Sequence, residues 1–386
     1  MKKFTLENLL ADGFRKSHAQ MFLNTLEYEK DNNFFEPEFL VWAYEHGFSA
    51  HESKILGINE ENYRDYLSTY DWHKLCPVND WERIWVNDKL TLKYMLDGTE
   101  FSGLMPKYFY YADKNKGLVA LPDNPDKKNS PVTLDDFIEL LCNPTGGGRT
   151  FACKPNNGTM SIGFFKLAYN ENKIELNGKP IFEEDLKIFI SGHPNYIYTE
   201  YFNPSDVFSK FDYRVPTIRI ITLNPGGYDA KIIANYIRFA NPTTGEANYH
   251  EKMGEGDYHL YSNIDGETGK FAGGVKIFEN KVVSIENHPV TNKPLTGILP
   301  DFPEFLNTVK KIADRFNLVE LMGFDVTHTD KGYKIMEINT HPGGSGMQLF
   351  KPLLKNPDIL NFVRTKLEKI DNLTDAERKA RNNISC

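Results

Sequence analysis

The sequence predicts an α+β protein in which a helical first part precedes a longer region of strands and helices. In the first 87 residues, apolar side chains recur at helical spacing, as in Phe39, Leu40, Ala43 and Tyr44. From residue 107 onward, short β-rich runs dominate and helical segments lie between them. No strand is followed by a GxGxxG turn, so the sequence does not indicate a dinucleotide-binding fold.

The expected elements follow from turn signals and periodicity. Gly47 comes directly after an apolar helical stretch, where a glycine can end a helix in the left-handed conformation. Helices are expected over 133–141, 182–191 and 303–316, and the first of them has Thr133 as its N-cap. Strands are expected over residues 107–111, 151–154, 164–169, 196–202, 217–223, 231–239, 324–329 and 333–339.

Composition and charge narrow the class of protein. The chain has 386 residues with 45 Lys and Arg against 53 Asp and Glu, a net charge of −8, which disfavours nucleic-acid binding through bulk charge. No uncharged apolar run approaches the ~20 residues that a membrane span needs, and the N-terminus does not read as a signal peptide. The four cysteines are scattered without a CxxC, so neither a zinc ribbon nor a disulfide framework is indicated. We expect a cytoplasmic protein with no membrane span and no nucleic-acid partner.

The stretch 324–339 predicts a β-hairpin with a three-residue loop at 330–332. In that register Thr329 pairs with Tyr333, and counting back in step places Asp325 opposite Glu337. Two carboxylates that face each other across a sheet repel, so a cationic group is expected between them.

Asn339 lies two residues after Glu337 and therefore shares the face of the carboxylate pair. Two carboxylates and an amide oxygen are hard ligands that suit Mg²⁺, or Mn²⁺, with phosphate oxygens completing the coordination. The alternative is a solvated polar strand face. Ile335 and Ile338 argue against it because they indicate a buried strand, where unpaired carboxylates are costly.

The stretch 151–166 reads as a strand, a loop of small residues and a second strand. Backbone N–H groups of such a loop, around Gly158, Thr159 and Ser161, can close over phosphates, and Lys154 at the strand end would reach a phosphate as a point charge. Little in the loop would anchor it without a ligand. Taken alone, an ordinary glycine hairpin explains the stretch equally well, and there is no Walker loop.

Together and in this order, the two stretches resemble the ATP-grasp superfamily over residues 88–350. Within it, the sugar-transfer-associated branch is most similar, on the strength of several short matches: Asp88-Lys89, Thr217-Ile218-Arg219, Gly273-Gly274, Gly323-Phe324-Asp325 and the run from Met336 to Gly343. The resemblance implies two α+β subdomains that clasp ATP, over 88–202 and 203–386, after a helical accessory region over 1–87.

The resemblance also implies roles for particular residues. Lys89 and Lys154 are similar to the two phosphate-binding lysines of the family. Glu200, Tyr201 and Phe202 are similar to the hinge strand that holds adenine. The metal ligands implied by the resemblance are Asp325, Glu337 and Asn339.

The activity implied is that of a ligase joining a carboxylate to an amine. The γ-phosphoryl group of ATP passes to the acid, and an amine attacks the resulting acyl phosphate. Such transfer depends on positioning and charge, for which Arg219, Arg238 and Lys154 are the catalytic candidates, although a plain surface role is an equal alternative for Arg238. Small-molecule substrates are implied, such as a sugar acid or an amino-acid-like precursor of a surface polysaccharide or capsule.

Two other functions stay open from the sequence. The same site could phosphorylate an acceptor that is not a carboxylate, as a kinase does. A non-catalytic nucleotide-binding scaffold is the third alternative, and the intact set of Asp325, Glu337 and Asn339 argues against it. The sequence does not identify the substrates or the oligomeric state.

Overall fold

The computed structural model describes residues 4–124, 132–142, 150–158, 162–240 and 257–383. The first part of the chain is helical, as the sequence predicts. Its helices are α1 (Leu6–Ala11), α2 (Lys16–Asp31), α3 (Pro37–Glu45), α4 (Ala50–Leu56), α5 (Thr69–Leu75), α6 (Ile84–Asn87) and α7 (Lys89–Leu96).

Local residues determine where these helices begin and end. Ser49, Ser68 and Asp88 cap α4, α5 and α7 by accepting hydrogen bonds from backbone N–H groups of the first turn. Gly47 has a φ of +81° just after α3, as the sequence predicts for a glycine that ends a helix.

A first antiparallel sheet follows, in the strand order β2-β1-β7-β3-β4-β5-β6. Two helices, α8 (Leu134–Cys142) and α9 (Glu183–Gly192), pack on it through apolar side chains that include Phe137, Leu141 and Leu186. The strands are β1 (Tyr108–Asp113), β2 (Gly117–Ala120), β3 (Thr150–Pro155), β4 (Phe165–Asn170), β5 (Lys173–Leu176), β6 (Lys179–Ile181) and β7 (Tyr196–Glu200).

A second antiparallel sheet has the order β13-β12-β10-β9-β8-β15-β16. Its strands are β8 (Thr217–Leu223), β9 (Lys231–Phe239), β10 (His259–Asn263), β12 (Gly274–Ile277), β13 (Val282–Ile285), β15 (Leu321–Thr329) and β16 (Gly332–Asn339). A separate pair consists of β11 (Lys270–Ala272) and β14 (Thr296–Ile298). The helices of this part are α10 (Asp206–Ser209), α11 (Phe302–Arg315), α12 (Gly344–Met347), α13 (Pro357–Asp371) and α14 (Asp375–Asn383).

The packing ties the helical region to the second sheet. Helix α11 covers one face of that sheet through side chains such as Val309 and Ile312. The other face contributes Ile221 to a core that also contains Trp72 of α5 and Phe362 of α13. The fold is therefore α+β, as the sequence predicts. None of the helices in the described part of the chain has both the length and the apolar character that crossing a bilayer requires.

Candidate functional site

A cleft lies between the two sheets, with walls from β3 and β7 on one side and β9, β15 and β16 on the other. Most residues singled out in the sequence line this cleft, namely Lys89, Lys154, Gly158, Glu200, Tyr201, Phe202, Arg238, Asp325 and Glu337. Arg219 and Asn339 are not part of the lining but contact Asp325. Thr159 and Ser161 lie outside the described residues.

The hairpin of β15 and β16 places the two carboxylates opposite each other, although its turn differs from the prediction. Thr329 pairs with Gly332, so the predicted pairing of Thr329 with Tyr333 is wrong by one residue. A bulge then adds Met336 on β16, and this extra residue restores the pairing of Asp325 with Glu337. Gly332 has a φ of +82°, as the turn requires.

Two arginines from neighbouring strands hold Asp325. Arg219 lies directly across from it on β8, with Nε 2.6 Å from Oδ1 and Nη2 3.1 Å from Oδ2. Arg238 of β9 donates from Nη2 to Oδ1 at 2.9 Å. Burial raises the pKa of Asp325; the two arginines oppose this rise and Glu337 adds to it. The guanidinium groups therefore supply the charge that keeps two carboxylates together in a buried place.

Glu337 is the carboxylate that faces the lysines. Its Oε2 lies 3.4 Å from Lys89 Nζ, and its Oε1 accepts from Asn339 Nδ2 at 3.3 Å. Burial alone would raise the pKa of Glu337, but Lys89 and Lys154 outweigh it and lower the pKa to about 2. The side chain is therefore ionised at any physiological pH.

Lys154 reaches across the cleft from β3 to the bulge of the hairpin formed by β15 and β16. Its Nζ donates to the backbone carbonyl of Met336 at 3.0 Å. Burial, with the nearby charge of Lys89, lowers the pKa of Lys154 to about 8, although Glu337 and Asp325 act in the opposite sense. An ammonium group held by one carbonyl keeps two donors for a further anionic partner.

Asn156 fixes the start of the loop after β3, which contradicts the expectation that little anchors that loop. Its side chain is buried, donates to Asp88 Oδ2 at 2.6 Å and accepts from the backbone N–H of Leu90 at 2.9 Å. Lys89 Nζ in turn donates to the carbonyl of Gly158 at 3.0 Å. The sequence gives no signal that singles out Asn156, because an asparagine in a small-residue loop is also an ordinary turn residue.

Glu200, Tyr201 and Phe202 follow the end of β7 along the cleft. Glu200 is not free at this place, because its Oε1 lies 2.5 Å from Lys331 Nζ and its backbone N–H donates to the carbonyl of Lys107. The Lys166 ammonium lies 4.5 Å from the centre of the Tyr201 ring. This wall of the cleft is thus partly aromatic, which suits a flat apolar ligand.

The residues present fit a hard divalent cation. Asp325, Glu337 and Asn339 offer carboxylate and amide oxygens only, which is the donor set that Mg²⁺ prefers. Asn339 Nδ2 lies 3.2 Å from Asp325 Oδ2 and 3.3 Å from Glu337 Oε1, so the three side chains meet at one place. A cation there would share Asp325 with Arg219 and Arg238.

Two antiparallel sheets around a cleft with paired carboxylates and lysines are the architecture of an ATP-grasp protein. The family model described as sugar-transfer associated ATP-grasp matches residues 129–356, more than half of the chain, and the protein belongs to this family. No curated protein sequence matches the chain.

Several solved structures are similar at low identity. D-alanyl-alanine synthetase A from Vibrio cholerae is 13% identical with a TM-score of 0.39, and the alignment covers 74% of this chain and 66% of that one. The D-Ala:D-Ser ligase VanG from Enterococcus faecalis is 14% identical with a TM-score of 0.38, over 78% and 63%. The D-alanine–D-alanine ligase from Bacillus anthracis is 11% identical with a TM-score of 0.33, over 85% and 77%. The chain thus spans just under two thirds of the Vibrio and Enterococcus proteins.

Proposed function

We propose that this protein is an ATP-dependent carboxylate–amine ligase that forms an amide through an acyl-phosphate intermediate. The observation that carries the proposal is that lysine and arginine side chains and two carboxylates line the same cleft. Ionised Glu337 lies among Lys89 and Lys154, and Asp325 and Arg238 belong to the same wall. Phosphoryl transfer needs this combination of fixed cations and metal-binding carboxylates, and it needs no covalent protein nucleophile.

Each group has a task in this proposal. Lys89 and Lys154 bind the phosphates of ATP, and Glu200 to Phe202 border the adenine. Asp325, Glu337 and Asn339 hold the divalent cation, Mg²⁺ or Mn²⁺, which neutralises the charge of the phosphates when it is bound. The backbone N–H groups near Gly158, with Thr159 and Ser161, close the phosphate end.

Arg238 orients the acid in this proposal, and Arg219 positions Asp325. Arg238 lines the cleft and its Nε is buried without a hydrogen-bond partner, so the guanidinium keeps a donor for a carboxylate or phosphoryl oxygen. A carboxylate oxygen of the acid attacks the γ-phosphorus and ADP leaves. The amine nitrogen then attacks the acyl carbon, and inorganic phosphate leaves with that oxygen.

We further propose the setting of the reaction. Residues 88–202 and 203–386 act as the two subdomains that clasp ATP, and residues 1–87 are accessory to them. The acid is a sugar acid or an amino-acid-like precursor of a surface polysaccharide, and the enzyme acts in the cytoplasm. The family description, which names sugar transfer, supports the sugar context.

A screen of acids against amines, with ADP release as the signal, tests the proposal. The ligase requires both an acid and an amine for full ADP release, and Glu337→Gln should remove the signal. Release that depends on one alcohol acceptor, with no amine, would instead identify a kinase. A protein that binds ATP and releases no ADP with any pair would be a scaffold.

A further inference from the structure

A group of soft ligands lies outside the cleft, where the helical region meets the end of β16. His18 of α2, Cys76 directly after α5 and His341 after β16 bring ligand atoms within 4.8 Å of one another. The three residues are far apart in sequence, so only the packing of the helices on the second sheet brings them together. The structure describes all three.

The local sequence supports the grouping. His73 and Cys76 have the spacing His-x-x-Cys at the end of α5, which places both on one side of the last helical turn. This His-x-x-Cys spacing is a candidate metal-binding pattern that differs from the CxxC motif. The His73 ring centre lies 6.1 Å from that of His18, and the His341 ring centre lies 5.0 Å from it.

The imidazoles of this group leave buried nitrogen atoms without partners. Nδ1 of His18, His73 and His341 each lack a hydrogen bond, and His18 is only 7% exposed. An unsatisfied polar atom in such a place destabilises the fold. Burial, with the nearby charged groups, lowers the pKa of His18 to about 3, so its ring is neutral and able to donate a lone pair at pH 7.

We propose that His18, Cys76 and His341 bind a Zn²⁺ ion. One thiolate and imidazole nitrogens are the donor set of zinc sites, and they differ from the all-oxygen set in the cleft. Tetrahedral zinc needs its ligand atoms about 3.3–3.8 Å apart, given metal–ligand bonds of about 2.0–2.3 Å. The three ligand atoms, which lie within 4.8 Å of one another, would have to approach by up to about 1 Å to reach that spacing.

Two guanidinium groups lie near the group and oppose a further cation. Arg15 is paired with Asp80 at 3.1 Å, which offsets its charge. Arg381 donates to the backbone carbonyl of Lys74 at 3.1 Å. Burial raises the pKa of the Cys76 thiol well above its ordinary value, although the charge of Arg381 acts in the opposite sense, so metal binding would have to displace the thiol proton.

The ion would join three parts of the protein. It would tie α2 and the end of α5 to His341, which lies two residues after Asn339, the last residue of the strand that carries Glu337. The proposed role is structural, because His18 and Cys76 are buried and none of the three ligands belongs to the cleft lining. It would fix the end of β16 against the helical region.

Cobalt substitution in the full-length protein tests the site directly. Chelator-treated protein is titrated with Co²⁺, and we expect, at one equivalent, a thiolate-to-cobalt charge-transfer band in the near ultraviolet together with ligand-field bands of a tetrahedral ion. Zn²⁺ at one equivalent should remove both, and millimolar Mg²⁺ should not. Wild-type protein that gives no thiolate band at stoichiometric Co²⁺ overturns the proposal, whatever the variants do.

Variants assign the ligands. Cys76→Ser should abolish the charge-transfer band, and His341→Gln should weaken Co²⁺ binding at least tenfold while the band remains. Cys142→Ser is the matched control, because Cys142 is a free cysteine outside the group, and it should bind as wild type does. A band that survives in Cys76→Ser, or disappears in Cys142→Ser, would overturn the assignment.

Discussion

The pKa of Lys154 makes a prediction about how ATP use depends on pH. Burial lowers this pKa to about 8, so the folded protein loses the ammonium charge in a range where an ordinary lysine keeps it. If that charge binds phosphate, kcat/KM for ATP must fall as the pH rises through 8, because kcat/KM reports the ionisation of the free enzyme. The experiment varies the pH and compares wild type with Lys154→Arg.

The magnitude follows from the position of the pKa. With a pKa of about 8, about 90% of the ammonium is charged at pH 7 and about 10% at pH 9. We therefore expect kcat/KM for ATP to fall about tenfold between these two values. Lys154→Arg stays charged throughout, so its kcat/KM should be lower at pH 7 but flat to pH 9.

The assay measures initial rates of ADP release at limiting ATP and saturating co-substrates, from pH 6.5 to 9.5. Lys334→Arg is the matched control: burial also lowers the pKa of Lys334, but its Nζ donates to the carbonyl of Gly103 and it is not part of the cleft lining. That variant should keep the tenfold fall. A wild-type profile that stays flat to pH 9.5, or an equal fall in Lys154→Arg, would refute the reasoning.

The same shift affects stability in a defined direction. The folded pKa of Lys154 lies below its unfolded value of 10.5, so between pH 8 and 10.5 the unfolded chain binds more protons than the folded one. The contribution of this lysine to the free energy of unfolding therefore rises with pH in that window and is flat below it. Urea titrations of wild type and Lys154→Arg across the window measure the difference.

Three further predictions concern the carboxylates and the loop after β3. Asp325→Asn leaves Arg219 buried without its counter-charge, so the free energy of unfolding in urea should fall by about 3–5 kcal/mol. Glu337→Gln should abolish Mg²⁺-dependent ADP release and leave the far-ultraviolet circular dichroism unchanged. Asn156→Ala removes the bond to Asp88, so it should lower the free energy of unfolding by about 1–3 kcal/mol and raise KM for ATP.

Exposed residues provide the controls for these variants. Asp330→Asn makes the same change at the turn of the same hairpin, and Glu304→Gln makes it on α11; both side chains are exposed and both variants should behave as wild type. If Asp325→Asn had the same free energy of unfolding as Asp330→Asn, Asp325 would not be needed as the counter-charge of Arg219. Near-normal ADP release by Glu337→Gln would remove Glu337 from the site, and unchanged KM in Asn156→Ala would make Asn156 purely structural.

The sequence predicts the carboxylate pair correctly but for an incomplete reason. Alternation of side chains with period two places Asp325 and Glu337 on one face, and the structure has them opposite each other. The turn is one residue shorter than predicted, and the bulge at Met336 compensates for it. A bulge leaves no pattern in the sequence. The shorter turn and the bulge each shift the register by one residue in opposite senses, so the pairing of Asp325 with Glu337 is the same as predicted.

Other parts of the site depend on contacts between distant segments. The sequence suggests Arg219 and Arg238 as catalytic groups, but it does not predict that both contact Asp325, which they do because β9, β8 and β15 are neighbours in the sheet. Strand order is a property of the whole chain, and periodicity within one strand does not reveal it. Helix α13 begins with the N-cap Asn356 and a proline, which are helix-start signals in the sequence, although no helix is predicted there.

Labelling with ¹⁸O tests whether the acid is activated by phosphoryl transfer and then captured by an amine. Once the screen has found an active pair, the acid is prepared with ¹⁸O in both carboxylate oxygens and turned over with ATP, Mg²⁺ and the amine. Phosphate and amide are then analysed by mass spectrometry. The account predicts one ¹⁸O in each inorganic phosphate and one in each amide, because the carboxylate oxygen that attacks phosphorus leaves with it. Unlabelled phosphate formed in equal amount with the amide would contradict an acyl-phosphate intermediate and the proposed function with it.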